Sequence, residues 1–127
     1  MKKPVHTGAA PAAIGPYSQA VRAGEYLFVS GQLGIDPATK QMVEGGIAAQ
    51  AERALRNIAA ILEAAGGTME NVVKTTVLLQ SMDDFPRLNE VYARFFAAEP
   101  PARAAYQVAK LPLGALVEIE AIAHLGA

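Results

Sequence analysis

The stretch Ile47–Ser81, IAAQAERALRNIAAILEAAGGTMENVVKTTVLLQS, changes its hydrophobic period halfway along. In the first half, apolar residues fall at Ile47, Ala51, Ala54, Leu55, Ile58, Ile61, Leu62 and Ala65. That 3.6-residue spacing predicts a helix over 47–65, with Glu52, Arg56, Asn57 and Glu63 on its other side. Gly66-Gly67 then supplies residues that tolerate the left-handed backbone of a helix C-terminal cap. Beyond it Asn71–Ser81 is β-branched and apolar, which predicts a strand.

Working outward towards the N-terminus, Glu25–Gln32 (EYLFVSGQ) reads as a strand. Tyr17–Val21 reads as a shorter strand, Ala23-Gly24 as a turn, and Gly8–Pro16 as an irregular lead-in rich in turn residues. Ile35–Gly46 contains Asp-Pro and Gly-Gly and reads as a loop or hairpin. On the other side, Asp83 or Asp84 is expected to cap a second helix with Pro86 in its first turn, where a missing N–H costs nothing. Its apolar stripe is Leu88, Val91, Tyr92, Phe95 and Phe96, and Glu99-Pro100-Pro101 ends it. Arg103–Ala109 and Leu116–Leu125 read as two further strands. The second alternates with period two, Val117, Ile119, Ala121, Ala123 and Leu125 on one face and Glu118, Glu120, Ile122 and His124 on the other. Strands with two intervening helices describe an α+β domain over residues 1–127, a mixed sheet with both helices on one face.

Composition narrows the function. The 127 residues are 52% hydrophobic and 18% charged, against about 25% charged for an average protein. So few charges leave apolar surface to be covered, and self-association is expected. A net charge of −1 with scattered Lys and Arg lacks the basic stripe that exchanges with nucleic-acid counterions. No apolar run is long enough to span a bilayer. No apolar signal core follows Met1–Thr7, so the cytoplasm is the expected compartment. The chain has no cysteine, which excludes disulfides, thiolate metal sites and a thiol nucleophile.

Few residues point to chemistry. His6 and His124 lie near opposite ends, with no carboxylate at ligand spacing, so no metal site is expected. Ser30 has no histidine at a spacing that suggests a triad, and no phosphate-binding glycine loop is present. Arg103 opens a strand in apolar company, and its guanidinium matches a carboxylate in bidentate fashion; it could equally make a surface salt bridge. Glu118 and Glu120, about 7 Å apart along one strand face, could act as acid and base or form a solvated sheet face. Tyr17, between Pro16 and Ser18, carries a phenol that needs a partner if buried.

Seven short motifs occur in order: Gly15-Pro16-Tyr17-Ser18-Gln19-Ala20, Ser30-Gly31-Gln32, Val73-Lys74-Thr75-Thr76-Val77, Asp84-Phe85 with Asn89, Pro101-Ala102-Arg103, Leu111-Pro112 and Glu118-Ile119-Glu120. Together they resemble the reactive intermediate deaminase family, also called RidA or YjgF-type, over essentially the whole chain. The resemblance implies a chorismate-mutase-like α+β fold, a homotrimer with a central β-barrel, and clefts between subunits. It implies hydrolysis of the 2-imino acids released by pyridoxal-phosphate enzymes, such as 2-iminopropanoate and 2-iminobutanoate, to 2-oxo acids and ammonia, with no cofactor or metal. Carried over by motif, Arg103 holds the substrate carboxylate and Glu118 orients or activates water. Tyr17, Ser30, Gly31 and Asn89 line the cleft. Ala105 stands where many bacterial members have cysteine, as in the liver-type branch, and leaves the chemistry to Arg103, Glu118 and water.

Such a mechanism is physically sufficient. The iminium carbon is already electrophilic, so placing substrate and water in attack geometry accounts for much of the catalysis. A glutamate close to Arg103 is expected to stay ionised and to accept a proton from water. Other readings are a non-catalytic module binding a small carboxylate such as a 2-oxo acid, an endoribonuclease or translation inhibitor, and, from apolar composition alone, a chaperone-like role.

Overall fold

The computed structural model describes residues Met1–Gly126. Helix α1 (Gly46–Ala64) follows from the apolar period and buries Ala51, Ala54, Leu55, Ile58, Ile61 and Leu62. It stops at Gly66, whose backbone is left-handed (φ +87°). The Gly67 N–H donates to the Leu62 carbonyl and the Gly66 N–H to that of Glu63, the paired bonds of a Schellman cap.

The period-two segment near the C-terminus becomes β8 (Val117–His124), an interior strand of a six-stranded sheet. Val117, Ile119, Ala121 and Ala123 are buried on one face. Antiparallel neighbours flank it, β3 (Tyr26–Gln32) on one side and β6 (Val72–Leu79) on the other. Outside β3 lie β2 (Ala20–Ala23) and β1 (Lys2–Val5), and outside β6 lies the edge strand β7 (Ala102–Gln107). A small separate hairpin pairs β4 (Ile35–Asp36) with β5 (Gln41–Met42). Among the described residues only β6 and β7 pair in parallel, and parallel neighbours need a crossover. Helix α2 (Phe85–Phe95) lies in that crossover and buries Leu88, Val91 and Tyr92. The mixed sheet and its two helices therefore match the expected α+β class.

Both helices lie over the face that carries Leu27, Val29, Val77, Leu79, Val117 and Ile119, all in one core cluster. Each Leu or Ile buried there contributes about 1.5–3 kcal/mol, and truncating fully buried Leu55 to Ala would cost about 2–5 kcal/mol. Among the described residues no helix covers the opposite face. Tyr26 and Phe28 of β3 stand there, each 46% exposed, as does Tyr106 of β7, 51% exposed.

The N-terminal region departs from expectation. The second strand begins at Ala20 rather than Tyr17, because Gln19 is used as a staple. Its amide donates to the carbonyls of Thr7, Ala10 and Pro11 and accepts from the Thr7 N–H. That network holds residues 7–19 as a coil. Lys2–Val5 forms a strand by pairing with β2; edge pairing asks little of side chains, and Lys and Pro are common there. The second helix is not capped by an Asp side chain. Ser81 accepts from the Asp83 N–H and starts a 3-10 turn (Met82–Asp84) that leads into the helix.

Candidate functional site

Alternation along the strands decides where the two charged candidates go. Arg103 pairs with Thr75 in the β6–β7 register, and Thr75 pairs with buried Ala121. Arg103 thus stands on the helix-covered face. Glu118 pairs with Leu78 and stands on the open face. One chain therefore holds Arg103 and Glu118 on opposite faces of the sheet, each with its own group of neighbours.

The first group is built on Arg103 and α2. Nη1 of Arg103 donates to Oδ1 of Asn89 at 2.8 Å. Its guanidinium carbon lies 4.7 Å from the ring centre of Tyr92 and 5.2 Å from that of Phe85, within cation–π range. Among the described residues no carboxylate pairs with it; the ion pairs are Arg56–Glu52, Arg87–Glu90 and Arg94–Glu52. Half-buried Arg103 is thus not a surface salt bridge but a fixed positive charge without a counter-ion. Tyr92 packs on Phe96 at 4.7 Å, and its phenol oxygen meets Thr75 Oγ1 at 2.6 Å. Burial raises the Tyr92 pKa above that of an ordinary tyrosine, against the lowering effects of the Thr75 bond and Arg103.

The second group is built on the bend of β3. The β3–β8 register shifts between Val29 and Gln32, and Gly31 sits in that irregular stretch. A Cβ on Gly31 would lie 2.7 Å from Oε2 of Glu118. The glycine therefore lets the carboxylate lie directly against the backbone, while its own φ is unstrained. Ser30 Oγ donates to the Ser18 carbonyl at 2.6 Å, and the Ser30 N–H to that of Gln19, which brings the segment after Tyr17 alongside. Tyr17 is 52% exposed, and its phenol oxygen accepts the Ile14 N–H at 3.4 Å. Burial, with Glu120 repulsion as the smaller cause, raises the Glu118 pKa above the usual carboxylate value. Within one chain Arg103 stands on the opposite face and takes no part in this shift.

The remaining candidates add nothing to either group. His124 stacks edge-on against Tyr26 at 5.0 Å. Among the described residues no three His, Asp or Glu side chains gather as a metal site would require. A cleft of about 390 Å³ between α1, α2 and the β4–β5 hairpin is lined by Arg53, Arg56, Arg94, Glu52 and Asp36, but neither Arg103 nor Glu118 reaches it. Sequence reading missed Phe85 and Tyr92 as Arg103 contacts because an aromatic at helical spacing reads first as core. The available clue was that Phe85, Asn89 and Tyr92 share one helical stripe.

Residues 7–125 match the family model described as Endoribonuclease L-PSP. The mouse protein "2-iminobutanoate/2-iminopropanoate deaminase" is 55% identical, the match covering 99% of this chain and 93% of the mouse protein. The human protein of the same name is 52% identical, over 99% of this chain and 92% of its own length. Among solved structures, RidA from an Antarctic Psychrobacter species superposes with a TM-score of 0.93 at 51% identity, covering 96% of this chain and 98% of that one. TdcF of E. coli with bound serine gives a TM-score of 0.93 at 41% identity, over 98% of this chain and 99% of its own.

Proposed function

The chain belongs to the Endoribonuclease L-PSP family, and from that membership we propose that it is an imine deaminase. It hydrolyses 2-imino acids to 2-oxo acids and ammonia, the activity named for its mouse and human relatives. The observation that carries the reading is Arg103, a guanidinium held by Asn89 with no acidic partner among the described residues. Such a group is a receptor for a carboxylate, the one permanent charge of an imino acid. Serine bound to TdcF is likewise a small molecule with a carboxylate.

The active unit in this proposal is a homotrimer with its open sheet faces turned inward as a barrel. Support comes from the uncovered Tyr26, Phe28 and Tyr106, since apolar patches of this kind mark interaction surfaces. Each cleft then takes Arg103 and Asn89 from one copy and Glu118, Gly31, Ser30 and Tyr17 from the next. This arrangement resolves the separation of the two groups within one chain.

In the cleft Arg103 holds the carboxylate and sets the C=N carbon against a water. Glu118 accepts a proton as that water adds to the carbon. Addition to the iminium carbon leaves a neutral amine on the carbinolamine, which then collapses: Glu118 returns its proton to the nitrogen, the C–N bond breaks as ammonia leaves, and the hydroxyl gives its proton to Glu118 as the carbonyl forms. Burial makes Glu118 a better base than an ordinary carboxylate, and the neighbour's Arg103 offsets part of that shift. The residues need no cofactor for this sequence.

The test couples the protein to a serine or threonine dehydratase and traps unreacted imine with semicarbazide. Wild type should accelerate 2-oxo acid formation and Arg103→Ala should not. An equal rate in the variant would refute the site. Saturable 2-oxo acid binding without any acceleration by wild type would favour a carboxylate sensor.

A further inference from the structure

Helix α2 spends three stripe positions on one arginine of the edge strand. Phe85, Asn89 and Tyr92 are spaced i, i+4 and i+7, so they share a helix face. All three touch Arg103: two rings at 5.2 and 4.7 Å from its guanidinium carbon, and one amide oxygen at 2.8 Å from Nη1. Tyr92 is itself tied to β6 through Thr75 at 2.6 Å, so one ring is fixed from both helix and sheet.

Resting on the deaminase reading, we propose that Phe85, Asn89 and Tyr92 are positioning residues forming a neutral cradle that holds Arg103 with one edge free for a single carboxylate. Every contact in the cradle is uncharged. Rings and an amide restrict the guanidinium without neutralising it, whereas an acid at position 89 would fill the site with a permanent competitor. One N–H of the fork goes to Asn89, and the edge formed by Nε and Nη2 remains for a planar anion. An exposed arginine would reach the same carboxylate only after losing its side-chain freedom on each binding event. Asn89 thus acts through Arg103 and not as a substrate contact in its own right.

The decisive variant is Asn89→Asp, nearly isosteric and free to pair with Arg103. The cradle predicts that KM for the imino acid rises at least about tenfold, that kcat changes less, and that the melting temperature does not fall. Phe85→Leu and Tyr92→Leu should each raise KM about three- to tenfold. Tyr92→Phe, which keeps the ring, should recover most of the loss. Ring-current shifts of the Arg103 side-chain protons in NMR spectra provide a readout independent of turnover. They should be large in wild type and Tyr92→Phe and reduced in the two leucine variants. Unchanged KM in Asn89→Asp and unchanged Arg103 shifts in the leucine variants would overturn the cradle. If instead the shifts respond but Arg103→Ala keeps full activity, the deaminase site fails while the cradle as a device for holding Arg103 survives.

Discussion

Arg103 and Glu118 lie two strands apart in one sheet, yet their surroundings differ in kind. Arg103 is gripped on the helix side by two rings and an amide. Glu118 lies on the open side against the backbone of Gly31, its pKa raised by burial and by Glu120. One half fixes a charge in place and the other makes a charge reactive. Within one chain the sheet itself stands between them. In the proposed deaminase the two are complementary half-sites, and a second copy is what brings them together.

The comparison can be broken first on the reactive side. Glu118→Gln keeps the shape and removes the base, so kcat should fall about 10²–10⁴-fold while binding of a 2-oxo acid, read by calorimetry, persists. Loss of binding with little loss of kcat would exchange the two roles. On the holding side, Arg103→Ala should cost about 100-fold in kcat/KM, with weakened 2-oxo acid binding as its signature. Gly31→Ala is a smaller intrusion. Its new Cβ would crowd the Glu118 carboxylate and displace it, which should lower kcat about tenfold or more with Arg103-dependent binding kept. A fully active Gly31→Ala would show that the carboxylate position is not critical.

The smallest effect concerns pH. A base works when ionised, so kcat/KM should decline as pH falls through the Glu118 pKa. Because that pKa is raised, the decline should begin at higher pH than for an ordinary carboxylate near 4.5. Glu120→Gln removes the secondary cause and should move the acid limb downward, without returning it to the ordinary value, because burial remains. A limb that stays still, or moves up, would mean that another group governs it.

Sequence periodicity made the helix at 46–64 and the strand at 117–124 readable because each buries one face against the core. It failed where side chains act on the backbone at a distance. Gln19 ties down a coil that reads as strand, and β1 is decided by an edge pairing that leaves no hydrophobic pattern. Motif resemblance named Arg103, Glu118, Gly31, Ser30, Tyr17 and Asn89, but order along a chain does not say which face of a sheet each occupies. That required the register of β6 against both β7 and β8. Tyr92 was legible as core and is core, 6% exposed; its contact with Arg103 has no separate mark in the sequence.

The most direct test of a site shared between copies mixes two inactive chains. Arg103→Ala and Glu118→Gln, unfolded together in equal amounts and refolded, form assemblies in which some clefts receive an intact Arg103 from one copy and an intact Glu118 from the next. Random assembly should restore about one quarter of wild-type activity, because each of the two positions in a cleft is filled by the required chain half the time. If each site were made within one chain, the mixture would remain as inactive as its components, and that result would contradict the account.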